Sequence, residues 1–278
     1  MDGLLLIDKP RGITSHDAID AVRRALGVRK VGHAGTLDPM ASGLLLVGVG
    51  KATRLLRFLG DLDKEYEGTG RLGEETDTLD ADGVVTLRSQ VDVSEEKLRA
   101  AMSRFVGAIR QRPPAYSAVK VGGRKLYRAA RGGEVIEAPE RSVRVEAFDL
   151  HALRAPDFDF RIVCSSGTYV RVLVADLGTT LGCGAHLTGL VRTRIGPFAV
   201  ADATPPNEPG EPLPPERAVA HLPRVDVDED EAEAAGHGRP LGPAGIEGPY
   251  GVFDPADRLI GIYRDEGAKA RPEVVLAP

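Results

Sequence analysis

Tryptophan is absent from this 278-residue chain, cysteine occurs twice, and Phe, Tyr and Trp together make up 5% of it. Two cysteines, Cys164 and Cys183, exclude a disulfide framework, and their spacing matches no zinc motif. They read as free buried thiols in a reducing compartment. No apolar run approaches the ~18–20 residues a membrane-spanning helix needs. The N-terminal MDGLLLIDKP lacks the basic n-region of a signal peptide, so a cytoplasmic protein is expected. No internal repeat is evident. Acid is missing from one long stretch. Between Glu96 and Glu134 there is no Asp or Glu, yet Lys97, Arg99, Arg104, Arg110, Arg112, Lys120, Arg124, Lys125, Arg128 and Arg131 all fall there.

That gap qualifies the net charge of −5, which by itself argues against a polyanionic partner. Residues 1–200 hold 29 Lys+Arg against 25 Asp+Glu, and residues 201–278 hold 7 against 16. A local basic face, rather than the total, governs polyanion binding. Arg and Lys interleave with Tyr and Gly in RPPAYSAVK and GGRKLY, from Arg112 to Tyr127. Guanidinium and aryl groups can stack on looped or single-stranded RNA bases while lysines meet phosphates. The plainer alternative is a mobile, solvated surface insertion.

With 42% hydrophobic and 28% charged residues, the chain has an ordinary globular composition, long enough for one large domain and a small one. Leu4–Ile7 reads as a buried strand ending at Asp8-Lys9-Pro10. Lys9 could contact phosphate or be an exposed turn lysine. Thr14 and Asp17 form a capping-box pattern before a helix with Ala18, Ile19, Val22 and Leu26 on one face and Gly27 as its stop. Thr53–Leu59 offers a short helix, and Lys64–Gly73 an extended segment with Tyr66 and Leu72 on one face. On pattern alone Tyr66 is a half-buried strand tyrosine. Thr76–Gly83 lacks the final Glu of a calcium loop and reads as a polar turn.

Ser94 caps a second helix carrying Leu98, Ala101, Met102 and Phe105, with Gly107 ending it. Val143–Ala147 and Phe158–Cys164 alternate as strands. Ser165–Thr168 then turns tightly into a helix with Val170, Leu173, Val174, Leu177 and Leu181 as its stripe. Arg171 falls in the first turn of that helix, where the dipole disfavours a cation by about 0.3–1 kcal/mol. That position suggests a carboxylate or phosphate partner. Cys183 and His186 have no third ligand nearby, which favours a structural histidine over a metal site. Leu187–Ile195 resumes as a strand. Six prolines between Pro205 and Pro215 mark a stiff linker that resists a packed element, and beyond it lies a small, acidic, β-rich module.

The stretch Val31–Gly50, VGHAGTLDPMASGLLLVGVG, holds a Gly- and Pro-punctuated loop followed by an apolar block. Asp38 precedes Pro39, which biases it to an extended conformation. Alone, it is a turn carboxylate.

In context, Gly32–Pro39 with Ala41-Ser42-Gly43 resembles the signature loop of the TruB-type pseudouridine synthases. The resemblance continues in order through Asp8-Lys9-Pro10, Lys64-Glu65-Tyr66, Leu72–Gly83, Pro114–Lys120, Gly123–Tyr127, Ser166–Arg171, Asp176–Gly178 and Gly182–Leu187. It implies an α+β fold with a mixed, largely antiparallel central sheet and flanking helices. It also implies catalytic residues Asp38, Tyr66 (stacking on the target uracil and acting as a base) and Arg171 (pairing with the aspartate). Leu190 would pack in the pocket and His33 would hold the T-loop after the uridine flips out. Lys9, Lys64, Tyr116, Lys120, Arg124, Lys125 and Arg128 complete the expected RNA-binding set. The implied domains are 1–204 catalytic with a basic insertion at about 108–138, a linker at 205–217, and 218–278 as a PUA-like module whose acidity sits oddly with RNA contact.

The implied activity is isomerisation of uridine to pseudouridine at position 55 of the tRNA T-loop, by a monomer, with no metal, no cofactor and no membrane. Breaking C1′–N1 and joining C5 to C1′ transfers no electrons. A carboxylate can serve as nucleophile or stabilise a cationic sugar, and a paired Arg171 would lower its pKa. The rival readings are a guide-RNA-dependent synthase of the dyskerin-like branch and a non-catalytic tRNA chaperone.

Overall fold

The computed structural model describes residues 1–117, 119–126, 132, 134, 136 and 138–276, and for Lys120 and Lys125 the backbone alone. In chain order the N-terminal part runs β1 (Gly3–Lys9), α1 (Ser15–Leu26), β2 (Val31–Ala34), β3 (Ala41–Val49), α2 (Leu56–Leu59), β4 (Lys64–Leu72), β5 (Glu74–Thr76), β6 (Val85–Arg88), α3 (Glu95–Ser103) and β7 (Gly107–Gln111). It continues with β8 (Lys120–Val121), β9 (Arg124–Lys125), β10 (Arg141–Arg154), β11 (Asp157–Cys164), α4 (Val170–Leu181), β12 (Ala185–Ile195) and β13 (Phe198–Ala199). The C-terminal part holds β14 (Arg224–Asp226), α5 (Glu229–Gly236), β15 (Pro249–Phe253), β16 (Leu259–Glu266) and β17 (Lys269–Val275).

The central sheet has the order β1-β3-β12-β4-β11-β10-β7. Only β3 and β12 pair in parallel among these neighbours, so the sheet is mixed and largely antiparallel. Its single parallel seam places β12 between the strand that leaves the Asp38 loop and the strand that carries Tyr66.

Leu44–Val49 is a continuous apolar run because both faces of β3 are covered. Leu45, Val47 and Val49 pack with Leu5, Ile7 and the α1 stripe Ala18, Ile19 and Val22. Leu44 and Leu46 pack instead with Leu55, Leu59 and the C-terminal residues Phe253, Ile262 and Val274. A third cluster joins α3 (Leu98, Met102) and α4 (Leu173, Val174, Leu177) to Phe148, Phe158, Phe160 and Ile162 of the sheet. The Thr14–Asp17 capping box starts α1, and Gly27 in the left-handed conformation stops it.

Three local expectations need revision. Thr53–Leu59 is split between a 3-10 turn at Gly50–Arg54 and the short α2. Helix α3 ends at Ser103, and Gly107, at φ +110°, opens β7 instead of closing the helix. The proline-rich stretch is packed. Leu4 and Leu213 exchange backbone hydrogen bonds of 2.9 and 2.8 Å, and Thr204 bonds to Leu6 and Asp8 at 3.0 and 2.9 Å. The reason is that β1 is an edge strand whose outer N–H and C=O groups need partners. Thr204 and Leu213 supply them, while the intervening prolines have no N–H to lose.

Candidate active site

Asp38 stands on the loop between β2 and β3, which is pinned from below. The Ser15 hydroxyl donates to the Leu37 carbonyl at 3.0 Å and accepts from the Leu37 N–H at 2.8 Å. The Gly12 N–H holds the Pro39 carbonyl at 2.7 Å. These contacts fix the backbone on both sides of the carboxylate, so Asp38 is placed by its neighbours.

Arg171 arrives from the first turn of α4. Its Nη1 lies 3.2 Å from Asp38 Oδ2 and 2.9 Å from Asp80 Oδ2, and its Nη2 donates to the Tyr116 carbonyl at 2.6 Å. The cation that its own helix penalises is therefore held by two carboxylates. Its side chain is 6% exposed and that of Asp80 is 4%, whereas the Asp38 side chain is 41% exposed. The accessible carboxylate is the one that can meet a ligand. Asp80 is anchored from its own turn: the Thr78 hydroxyl donates to Oδ1 at 2.6 Å, and the Asp82 N–H does so at 3.2 Å.

These residues border a cavity of about 400 Å³ lined by Asp38, Tyr66, Arg171, Leu187, Leu190 and Arg192, with the Ser165–Tyr169 turn on one side. That volume is within the roughly 300–1,000 Å³ of small-ligand pockets. Tyr66, from β4, is buried, and burial holds its phenol above the ordinary value. A neutral aryl face in the wall suits stacking on a base. Burial also pushes Asp38 above the usual carboxylate range; Arg171 pulls it down and the nearby Asp80 charge pushes it up further. The sequence-based expectation that Arg171 would lower it named a real force, but desolvation is the larger one.

The other expected residues divide. Leu190, in register with Ala41 and Gly68, lines the cavity. His33 lies on β2, half-buried and outside the lining; burial and the Arg192 charge hold its imidazole below the ordinary value. Lys9 is fully buried, with its ammonium on the Pro10 and Ile13 carbonyls at 3.0 and 2.8 Å. Lys64 borders the cavity with its ammonium on the Gly60 and Leu62 carbonyls at 2.5 and 2.6 Å. Burial lowers both lysines to about 8. Fully buried Lys9 offers no phosphate contact, its ammonium tying backbone together beneath the site, while Lys64 keeps its place at the cavity border. Tyr116 contributes its carbonyl, and Arg124 pairs with Glu134 at 2.6 Å. The side chains of Lys120 and Lys125, and Arg128 altogether, lie outside the described residues.

Sequence reasoning gave Asp80 no role beyond a polar turn and did not single out Arg192 within the Leu187–Ile195 strand. Asp80 gave no local signal of burial. Arg192 did give one, since strand alternation from Leu190 turns it inward.

Residues 23–170 match the TruB family pseudouridylate synthase (N terminal domain). Residues 171–205 match the tRNA pseudouridylate synthase B C-terminal domain, and residues 222–277 match the tRNA Pseudouridine synthase II, C terminal. The chain belongs to the TruB family. It is 44% identical over 99% of its length to the tRNA pseudouridine synthase B of Mycobacterium sp. (strain KMS), of which it covers 96%. It is 45% identical, over 99% of each chain, to that of Thermobifida fusca (strain YX). Among solved structures it is similar to a chain of a Cbf5-Nop10-Gar1 complex, with a TM-score of 0.79 and 29% identity over 99% of this chain and 85% of that one. This TruB-family chain thus has the pseudouridine synthase fold with a C-terminal β-rich domain.

Proposed function

We propose that the protein isomerises uridine to pseudouridine in tRNA, at position 55 of the T-loop, acting alone as a cytoplasmic monomer. The observation that carries this reading is the convergence of Asp38, Tyr66 and Arg171, from three distant segments, on one cavity. The uridine must leave its stack to reach the cavity, at a cost of a few kcal/mol, and Tyr66 recovers part of it by stacking on the base. Asp38, exposed where Arg171 and Asp80 are not, meets the reacting nucleotide. The surrounding cavity walls still leave its negative charge partly desolvated, which makes the carboxylate a better partner for the cationic sugar, or a better nucleophile, as C1′–N1 breaks. Arg171 fixes its direction. The detached base turns within the cavity, C5 joins C1′ and gives up its proton, and N1 takes one up, so the composition of the nucleotide is unchanged.

Leu190 and Leu187 supply the apolar wall, and the hairpin of β8 and β9 lies in the basic insertion that meets the RNA. A stand-alone enzyme is favoured over a guide-dependent one because the relatives named tRNA pseudouridine synthase B match the chain end to end. The test is incubation of the purified protein with unmodified tRNA, without any guide RNA, followed by pseudouridine mapping. Product at position 55 is expected. No product, or product only with added guide RNA, refutes the reading.

A further inference from the structure

We propose that Arg192 is a positioning residue that clamps the Asp38 loop and Tyr66 into one rigid unit. Its place in the sheet makes this possible. On β12 it stands in register with Gly43 of β3 on one side and Tyr66 of β4 on the other. It is the largest fully buried side chain, at 1% exposure. Nε donates to the Leu44 carbonyl at 2.7 Å and Nη2 donates to the Gly35 carbonyl at 3.1 Å. Gly35 precedes Asp38 by three residues and Leu44 follows it by six, so one planar group grips both ends of the loop. The pairing with Tyr66 across the sheet brings both side chains to the same cavity wall.

Arg192 makes no carboxylate ion pair among the described residues. A buried cation without a counter-ion is expensive, and an apolar side chain of similar volume would serve packing better. What an apolar residue cannot supply is a rigid fork of donors aimed in several directions at once, and a lysine supplies only a single point of charge. The charge is felt throughout the site: it is among the causes that lower Lys9, Lys64 and His33. Strands β3, β12 and β4 run side by side here, and the Arg192 side chain ties the Asp38 loop to the strand that pairs with Tyr66.

This assignment rests on Asp38 and Tyr66 being the reacting pair, and the experiment separates the two claims. The full chain is prepared as wild type, Arg192→Lys, Arg192→Met and Asp38→Asn, and each is assayed for tRNA affinity, single-turnover rate and melting temperature. The expected result is tRNA affinity within about threefold of wild type, with a rate reduced roughly 10²-fold in Arg192→Met, the scale set by about 1 Å of misplacement. Arg192→Lys, which keeps the charge but loses the fork, falls between that variant and wild type. If Arg192→Met fails to fold, Arg192→Lys with its melting temperature preserved carries the test. Wild-type rates in the Arg192 variants beside an inactive Asp38→Asn overturn the positioning role alone. An affinity loss as large as the rate loss also overturns it, because a clamp on reacting groups acts on the rate. An active Asp38→Asn overturns the underlying site.

Discussion

Replacing Asp80 by Asn removes one charge from the buried Arg171–Asp80 pair behind Asp38 while keeping its shape. The amide oxygen can retain the bonds from the Thr78 hydroxyl and the Asp82 N–H, so the turn itself should survive. What is lost is the 2.9 Å contact between Asp80 Oδ2 and Arg171 Nη1. Leaving a buried charge wholly unpaired costs about 3–5 kcal/mol. Arg171 keeps Asp38 at 3.2 Å and the Tyr116 carbonyl at 2.6 Å, so the expected loss is nearer 2 kcal/mol, or roughly 4–8 °C in melting temperature. With one anchor gone, Arg171 is free to shift toward Asp38, and about 1 Å of misplacement at reacting groups costs roughly 10²-fold in rate. The pH profile gives an independent sign. Asp38 must be ionised to react, so activity falls as pH drops through its pKa. The Asp80 charge is among the causes that raise that pKa, and its removal moves the acid limb to lower pH. The assay is single-turnover pseudouridine formation on unmodified tRNA across pH, with thermal melting alongside. A variant with wild-type rate, melting temperature and acid limb refutes the two-carboxylate account of Arg171.

Asp38→Asn should raise the melting temperature at pH 7. A carboxyl whose folded pKa lies above its unfolded one takes up protons preferentially in the folded state, so its ionised form costs stability above that pKa. The gap to wild type should close as pH falls through the raised value, and a variant less stable than wild type at pH 7 contradicts this. Gly43→Ala should destabilise by about 1–3 kcal/mol, since Gly43 sits at φ +100° and a Cβ there collides with the Arg192 carbonyl; an unchanged denaturant midpoint would show that β3 and β12 separate easily. Neutralising Arg124, Lys125 and Arg128 together should weaken tRNA binding and flatten its dependence on salt by about 0.7–0.9 log units per lost phosphate contact, and an unchanged slope would reduce the segment to ordinary surface.

Much of the fold was legible because local rules decided it. The capping box at Thr14 and Asp17 and the stop at Gly27 bounded α1, and alternation delivered β11 with Phe158, Phe160 and Ile162 inward. The proline-rich stretch misled because composition reports how a segment behaves alone, not that an edge strand needs partners. The site divided in the same way. Asp38, Tyr66 and Arg171 stand in motifs that resemblance reaches. The resemblance spans Asp80 too but gives it no role, and a polar turn reads alike whether solvated or folded over a buried arginine. Lys9 read as a phosphate contact or an exposed turn lysine, and Lys64 as part of the RNA-binding set, because lysine usually ends in water; here the carbonyls of Pro10, Ile13, Gly60 and Leu62 take up the ammonium groups. Their places depend on how distant backbone converges, which pattern does not encode.

The claim at the centre is that the half-exposed carboxylate of Asp38 reacts, while Arg171 and Asp80 behind it only hold it in place. Single-turnover formation of pseudouridine by Asp38→Asn, measured beside its affinity for the same unmodified tRNA, tests this directly. The expected result is tRNA binding close to wild type with no detectable product. Product formed at a rate near wild type would contradict it.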